Sequence, residues 1–433
     1  MKSIIKSKIF ISLFAVAVVS IIYFGCNNNK QSFSGDVASQ VYVAPGSYDE
    51  FYTFMSGGFS GQMTVYGLPS GRKFKVMSVF SQNPETGYGY SEETKGMLNT
   101  SYGFVPWDDA HHPQLSVTDG IPDGRFVFIN GNNTPRVAKI DLKDFETTEI
   151  IEIPNSGGNH GSPFLTQNTE YIVASTRFSV PIPQADIPIS SYKENFKGSI
   201  SFIKLDPKTE MMNLEFQIIV PGFNYDLARA GKGPSADWAF FTSYNSEQAN
   251  TLLEINASKN DKDFIAAVNW KLAEKYLKEG KAKTMPAEYF RNYMDHKTQS
   301  AVSVKYTEVK VLDPKDCPGM IYYMPTPKSP HGVDVDPSGE YIVAGGKLAT
   351  VIPVHSFSKM IKAIENKEFD GEIEGIPILK YQSTIAGEVK DPGLGPLHTE
   401  FDNEGNAYTS AFISSEIVKW KLGTWEVVDR IPV

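Results

Sequence analysis

Apolar residues along this chain come in short runs of two to five, broken by turns rich in Asp, Asn and Gly. The pattern repeats. His111-His112-Pro113 leads to Asp123-Gly124-Arg125-Phe126-Val127-Phe128-Ile129, and His160-Gly161-Ser162-Pro163 to Asn168-Thr169-Glu170-Tyr171-Ile172-Val173-Ala174. His331-Gly332-Val333 leads to Asp336-Pro337-Ser338-Gly339-Glu340-Tyr341-Ile342-Val343, and His398-Thr399-Glu400 to Asp402-Asn403-Glu404-Gly405-Asn406-Ala407-Tyr408-Thr409. Each unit predicts a strand opened by His, a tight turn, and a second strand with an aromatic residue near its start. From His to that aromatic is 171 − 160 = 11, 341 − 331 = 10 and 408 − 398 = 10 residues. In the first unit it is 126 − 112 = 14, which an enlarged turn at Asp119 to Asp123 would accommodate.

Outer strands follow three of the units. Ala138-Lys139-Ile140-Asp141 leads to Glu149–Ile153, Phe202–Asp206 to Leu214–Ile218, and Val418–Leu422 to Trp425–Val428. Four short strands per unit, recurring, predict an all-β fold of the β-propeller type; a sandwich would not place a His at one position of each repeat. One stretch departs from this. Between Asp261 and about Gly280, Phe264, Val268, Leu272 and Tyr276 recur at i+4 among Lys and Glu, which predicts an amphipathic helix inserted between blades and packed on the rim.

Composition agrees. Aromatic residues make up 12% of the 433, and 35 Gly with 27 Pro suit many turns. The net charge of -9, with no basic tract, argues against nucleic acid as a partner. The first 25 residues read as an export signal of lipoprotein type. Lys2, Lys6 and Lys8 precede the apolar run Ile9–Ile22, and Gly25 stands before Cys26, the expected lipidation site. Residues 26–44 form a polar tether, and 45–433 form the propeller domain. This order places the protein in the cell envelope or periplasm. With Cys26 used, Cys317 is left alone, so neither an intrachain disulfide nor a multi-thiolate metal site is available.

Five of the seven histidines, His111, His112, His160, His331 and His398, occupy the repeat position. Equivalent positions on the innermost strands of a propeller face one axis, so these imidazoles are expected to converge in the channel. Imidazoles converging without carboxylates or thiolates suit a soft or borderline metal better than calcium or magnesium. His296 and His355 fall outside the pattern and read as surface or structural. A hydrolytic calcium propeller would need Glu, Asp and Asn at the repeat position instead. A non-catalytic envelope lipoprotein binding a partner at its channel mouth remains the alternative to a metalloenzyme.

The run Asp109-Ala110-His111-His112-Pro113, continued by Ser116, Thr118-Asp119-Gly120, Asp123-Gly124-Arg125 and Phe128-Ile129-Asn130, resembles the double-histidine motif of nitrous-oxide reductases. Gly395-Pro396-Leu397-His398-Thr399 with Phe401-Asp402 and Gly405–Thr409 resembles a second signature, and Pro330-His331-Gly332 and His160-Gly161 two more. The resemblance runs from about residue 45 to Val433. It implies a seven-bladed-type propeller, incomplete at the C-terminus. His111, His112, His160, His331 and His398 would be five of the seven ligands of a tetranuclear copper–sulfide centre. Asp109 and Asp402 would be candidates for orienting them. Such a centre reduces nitrous oxide to dinitrogen and water in denitrification. The segment Thr242–Glu247 similarly implies calcium held by Tyr244, Glu247, the carbonyl near Ile255, and Asp261. The family continues well beyond Val433, with two more cluster histidines and a cupredoxin domain. That domain carries the binuclear copper site, which is absent here, and takes electrons from a c-type cytochrome or cupredoxin. The full-length form is a homodimer. Activity of this chain is therefore expected to need the missing part.

Overall fold

The computed structural model describes residues 36–161, 163–221, 225–243 and 263–433. Its contacts divide into a small unit, up to Thr53 together with Tyr66–Lys73, and a large one, Phe54–Val65 with Phe74–Val433. In the small unit the Asp49 carboxylate holds the Arg72 guanidinium at 2.8 Å and takes the Ser70 amide at 2.9 Å.

The large unit is a β-propeller. Among the described residues it has five blades built on four antiparallel strands. The first blade is Ala110–Thr118, Ile121–Gly131, Arg136–Asp141 and Glu146–Glu152; the second is Phe164–Leu165, Ile172–Ser175, Phe196–Leu205 and Met212–Val220. The third is Tyr225–Ala230, Trp238–Ser243, Phe264–Asn269 and Ile321–Pro325, extended outward by Ile376–Leu379 and Phe369–Ile373. The fourth is Pro330–Val335, Tyr341–Gly346, Val351–Ser356 and Ile385–Lys390. The fifth is Pro396–Phe401, Asn406–Ala411, Glu416–Lys421 and Val427–Pro432.

Adjacent blades bury their faces against each other. Between the fourth and fifth, Val343, Ile352 and Val354 meet Ala407 and Trp420. Each large apolar side chain buried this way contributes about 1.5–3 kcal/mol. Trp420 is buried without a polar penalty, since its Nε1 donates to Thr409 Oγ1 at 2.9 Å.

Two details differ from the sequence reading. The inner hairpin of the first blade has no enlarged turn. Thr118 pairs with Ile121 across Asp119-Gly120, both at positive φ (51° and 74°), the two-residue turn that matches strand twist. The extra length goes into longer strands with register shifts at Ala110/Pro113 and Leu115/Val117. The inserted helix covers Trp270–Lys278, not Asp261 to Gly280. Phe264 and Val268 lie in a strand buried on both faces, where continuous apolar sequence satisfies strand and helix periods alike. Asn269 caps the helix by accepting from the Leu272 amide. Trp270 and Ala273 pack into the core shared by the second and third blades, so the helix is anchored there.

A long hairpin, Lys283–Asp295 and Ser300–Leu312, leaves the third blade before its fourth strand. One arm pairs with the outer strand of the first blade at Arg291↔Ile151, and the other runs parallel to that of the second at Gln217↔Val311. The signal segment, Cys26, and the calcium segment of Tyr244, Glu247, Ile255 and Asp261 lie outside the described residues.

Candidate metal centre

The five repeat histidines meet. His111 and His112 sit at the start of the first blade's inner strand, His331 and His398 on those of the fourth and fifth, and His160 four residues before Phe164. Their rings form a closed circuit. Centroid separations are 4.6 Å from His111 to His160, 5.6 Å to His331, 5.0 Å to His398, 6.2 Å to His112 and 4.6 Å back to His111. His111 Nε2 and His160 Nε2 lie 2.9 Å apart.

Such close convergence requires the inner strands to approach each other tightly, and the glycines after two of the histidines allow it. A Cβ on Gly161 would stand 2.3 Å from the Asp226 carbonyl oxygen, and one on Gly332 would stand 2.1 Å from that of Leu397. Asn130 adds a fixed point by accepting the His112 amide at 2.7 Å while its Nδ2 donates to the Asn159 carbonyl.

Carboxylates hold the outward nitrogens. Asp109 lies 3.2–3.3 Å from His111 Nδ1. Asp226 takes His160 Nδ1 on one oxygen and His331 Nδ1 on the other at 2.7 Å, with Lys347 Nζ at 2.9 Å. Asp334 is 4.0 Å from His398 Nδ1. A carboxylate on Nδ1 fixes the tautomer that leaves Nε2 with a lone pair facing inward.

Burial favours the neutral form of three of the five imidazoles. Burial, reinforced by the neighbouring imidazoles, drives His112 well below its ordinary value. Burial lowers His160 despite Asp226 and brings His398 to about 4 despite Asp334. Asp226 is fully buried, which opposes its ionisation, yet His331 and His160 hold it well below the usual carboxylate range.

Asp402 is not part of this ring. Its side chain accepts from the Glu404 and Asn406 amides, from Asn406 Nδ2 and from the Tyr408 hydroxyl, closing the fifth blade's first turn. Asp226 takes the orienting role instead, which the sequence reading missed because it followed only histidines. A signal exists: Trp238 follows Asp226 by 238 − 226 = 12 residues, close to the other units' spacing, so Asp226 stands at the repeat position of the third blade. His296 is exposed in the long hairpin's turn. His355 is fully buried, its Nδ1 on Thr384 Oγ1 at 2.9 Å, and burial lowers it to about 3.

The donor set fits a soft or borderline metal. His111, His112 and His160 bring ligand nitrogens within 4.8 Å of one another, as do His160 and His331 together with Asp226. His112 Nε2 is buried with no hydrogen-bond partner, a cost that a metal would relieve. Beside the circuit, a 380 Å³ cavity is lined by His112, His398, Gln114, Phe164, Arg229 and Asp334.

Fold and site together define a β-propeller whose channel gathers imidazoles backed by carboxylates. Its nearer kinship is in the sequence: the chain is related to the nitrous-oxide reductases. It is 32% identical to that of Pseudomonas fluorescens over 390 residues, 89% of this chain and 55% of the relative. It is 31% identical to that of Stutzerimonas stutzeri, over 88% and 54%, and 32% to that of Cupriavidus necator, over 89% and 56%. The chain thus spans about half the length of the curated relatives it matches. No family model matches it. Among solved structures, Kuenenia stuttgartiensis hydrazine synthase has TM-score 0.52 at 12% identity, covering 86% of this chain and 80% of that one, a likeness of fold alone.

Proposed function

We propose that the imidazole circuit is the protein's share of a multinuclear copper–sulfide centre that reduces nitrous oxide. The observation that carries this reading is the closed ring of five histidines, with carboxylates on outward nitrogens and a buried, unpartnered His112 Nε2. Copper bound there would supply the electrons for N2O + 2 H⁺ + 2 e⁻ → N2 + H2O, and Cu(I) suits imidazole and sulfide ligation. His111, His112, His160, His331 and His398 would hold it. Asp109 keeps His111 oriented and Asp226 keeps His160 and His331 so, and burial favours the unprotonated form of His112, His160 and His398. The cavity beside His112 and His398 gives a small neutral molecule room to approach.

Copper analysis of protein assembled anaerobically with copper and sulfide tests the reading. Several copper ions per chain are expected, with loss in a His160→Ala, His331→Ala double variant. A chain that takes up no copper overturns it.

The remaining parts of the reading rest on sequence. Export and lipidation at Cys26 would be seen by mass spectrometry of the membrane fraction. Calcium at Tyr244, Glu247, Ile255 and Asp261 would be seen as a thermal shift on adding the ion. Electron transfer from a c-type cytochrome or cupredoxin, and dimerisation, are proposed only for the full-length form.

A further inference from the structure

Each carboxylate around the circuit is itself held from outside. Asp109 Oδ2 accepts from Asn132 Nδ2 at 2.9 Å, and Asn132 Oδ1 from Arg177 Nη1 at 3.2 Å. Asp226 has Lys347. Asp334 has Arg229, whose Nη2 and Nε donate to Oδ1 at 2.7 and 3.3 Å. This third case differs in how it reaches its histidine. Asp334 stands 4.0 Å from His398 Nδ1 but accepts the Thr399 amide at 2.7 Å, gripping the backbone next to that ring. Arg229 Nη2 also meets Glu400 Oε1 at 3.3 Å. One guanidinium on the third blade thus joins the inner strands of the fourth and fifth.

His398 is less enclosed than the two rings that Asp226 holds. Its side chain is 39% exposed, against 8% for His160 and 13% for His331, and it borders the widest gap in the circuit. Arg229 holds one oxygen of the Asp334 carboxylate and the Thr399 amide the other. A planar guanidinium does this better than a flexible ammonium.

We propose that Arg229 is a positioning residue of the centre: through Asp334 and Thr399 it sets where the fifth blade presents His398 to the other four imidazoles. The proposal rests on reading the circuit as a metal site, but its first test needs no metal. In the metal-free full chain with ¹⁵N-labelled histidine, Arg229→Gln should broaden or shift the ring signals of His398. Those of His160 and His331, held by Asp226, should stay in place. Arg229→Lys should fall between, and Glu400→Gln, which removes only an exposed contact, should match the wild type. Asp334→Asn keeps an acceptor for the Thr399 amide while weakening the Arg229 pair, so it repeats the comparison if Arg229→Gln does not fold. Unchanged His398 signals, or an equal disturbance of all five rings, would overturn the proposal. In the second test, Cu(I) competition against a chelator, Arg229→Gln should bind about 10-fold more weakly, with partial recovery in Arg229→Lys. Equal affinity would also overturn it. If wild-type protein takes no copper but His398 alone responds, the clamp stands and the copper reading fails.

Discussion

The third and fourth blades open their inner strands with opposite chemistry, Tyr225-Asp226 in one and Pro330-His331 in the other, and the two side chains meet at 2.7 Å. Asp226 also takes His160 from the second blade. A carboxylate at the repeat position therefore serves two histidines at once, where a further imidazole would have added a ligand but oriented none. In this channel, the blade that breaks the histidine pattern is the one that orders it.

Removing Asp226 should have the largest effect. Asp226→Ala removes a buried carboxylate from Lys347 and from Nδ1 of both His160 and His331, so a loss of about 3–5 kcal/mol in urea unfolding is expected. Copper uptake should collapse with it. Asp226→Asn should keep more of the stability than of the copper. An Asp226→Ala chain with wild-type stability would mean that the third blade is a spacer.

A second contrast lies within the fourth blade. His331 faces the channel, while His355 is packed between Thr384 and the Tyr381 ring. His355→Ala should cost about 2–4 kcal/mol through the space it empties, with copper uptake unchanged. His331→Ala should abolish copper uptake at a smaller cost in stability, since His160 and Lys347 still hold Asp226, and equal effects in both assays would erase the distinction.

His355 also carries a pH signature. Burial holds His355 down to about 3 in the folded chain, whereas the unfolded chain protonates it below about 6.5. Its contribution is therefore present above pH 6.5 and is lost as pH falls through that window. His355→Ala should flatten the stability–pH slope between pH 6 and 4 by about 1.4 kcal/mol per pH unit. An unchanged slope would show that His355 is already charged in the fold. The smallest effect is expected at Asp402. Asp402→Asn should lower the melting temperature slightly by loosening one turn, and copper binding should not move.

The propeller and its histidine positions were legible in the sequence because four of the five blades set a His ahead of a turn and an aromatic-led strand at similar spacing. The inserted helix was legible only in part. Phe264 and Val268 satisfy an i+4 pattern while lying in a strand buried on both faces, a case that periodicity cannot resolve. Partners distant in sequence were harder still. Asp402 sits near His398 in the chain but turns into its own hairpin, whereas Asp226 reaches His160 across 66 residues. Side-chain direction at a turn depends on local amide geometry, which spacing does not encode.

The hairpin of Lys283–Leu312 has a consequence for the order of assembly. It clasps the rims of two earlier blades before the polypeptide returns to the one it left, so Ile321–Pro325 is the last of that blade's four strands to emerge from a ribosome. Until then three unclosed strands present a bare edge. In chain order the strands that fasten the first two blades thus precede the one that seals the third.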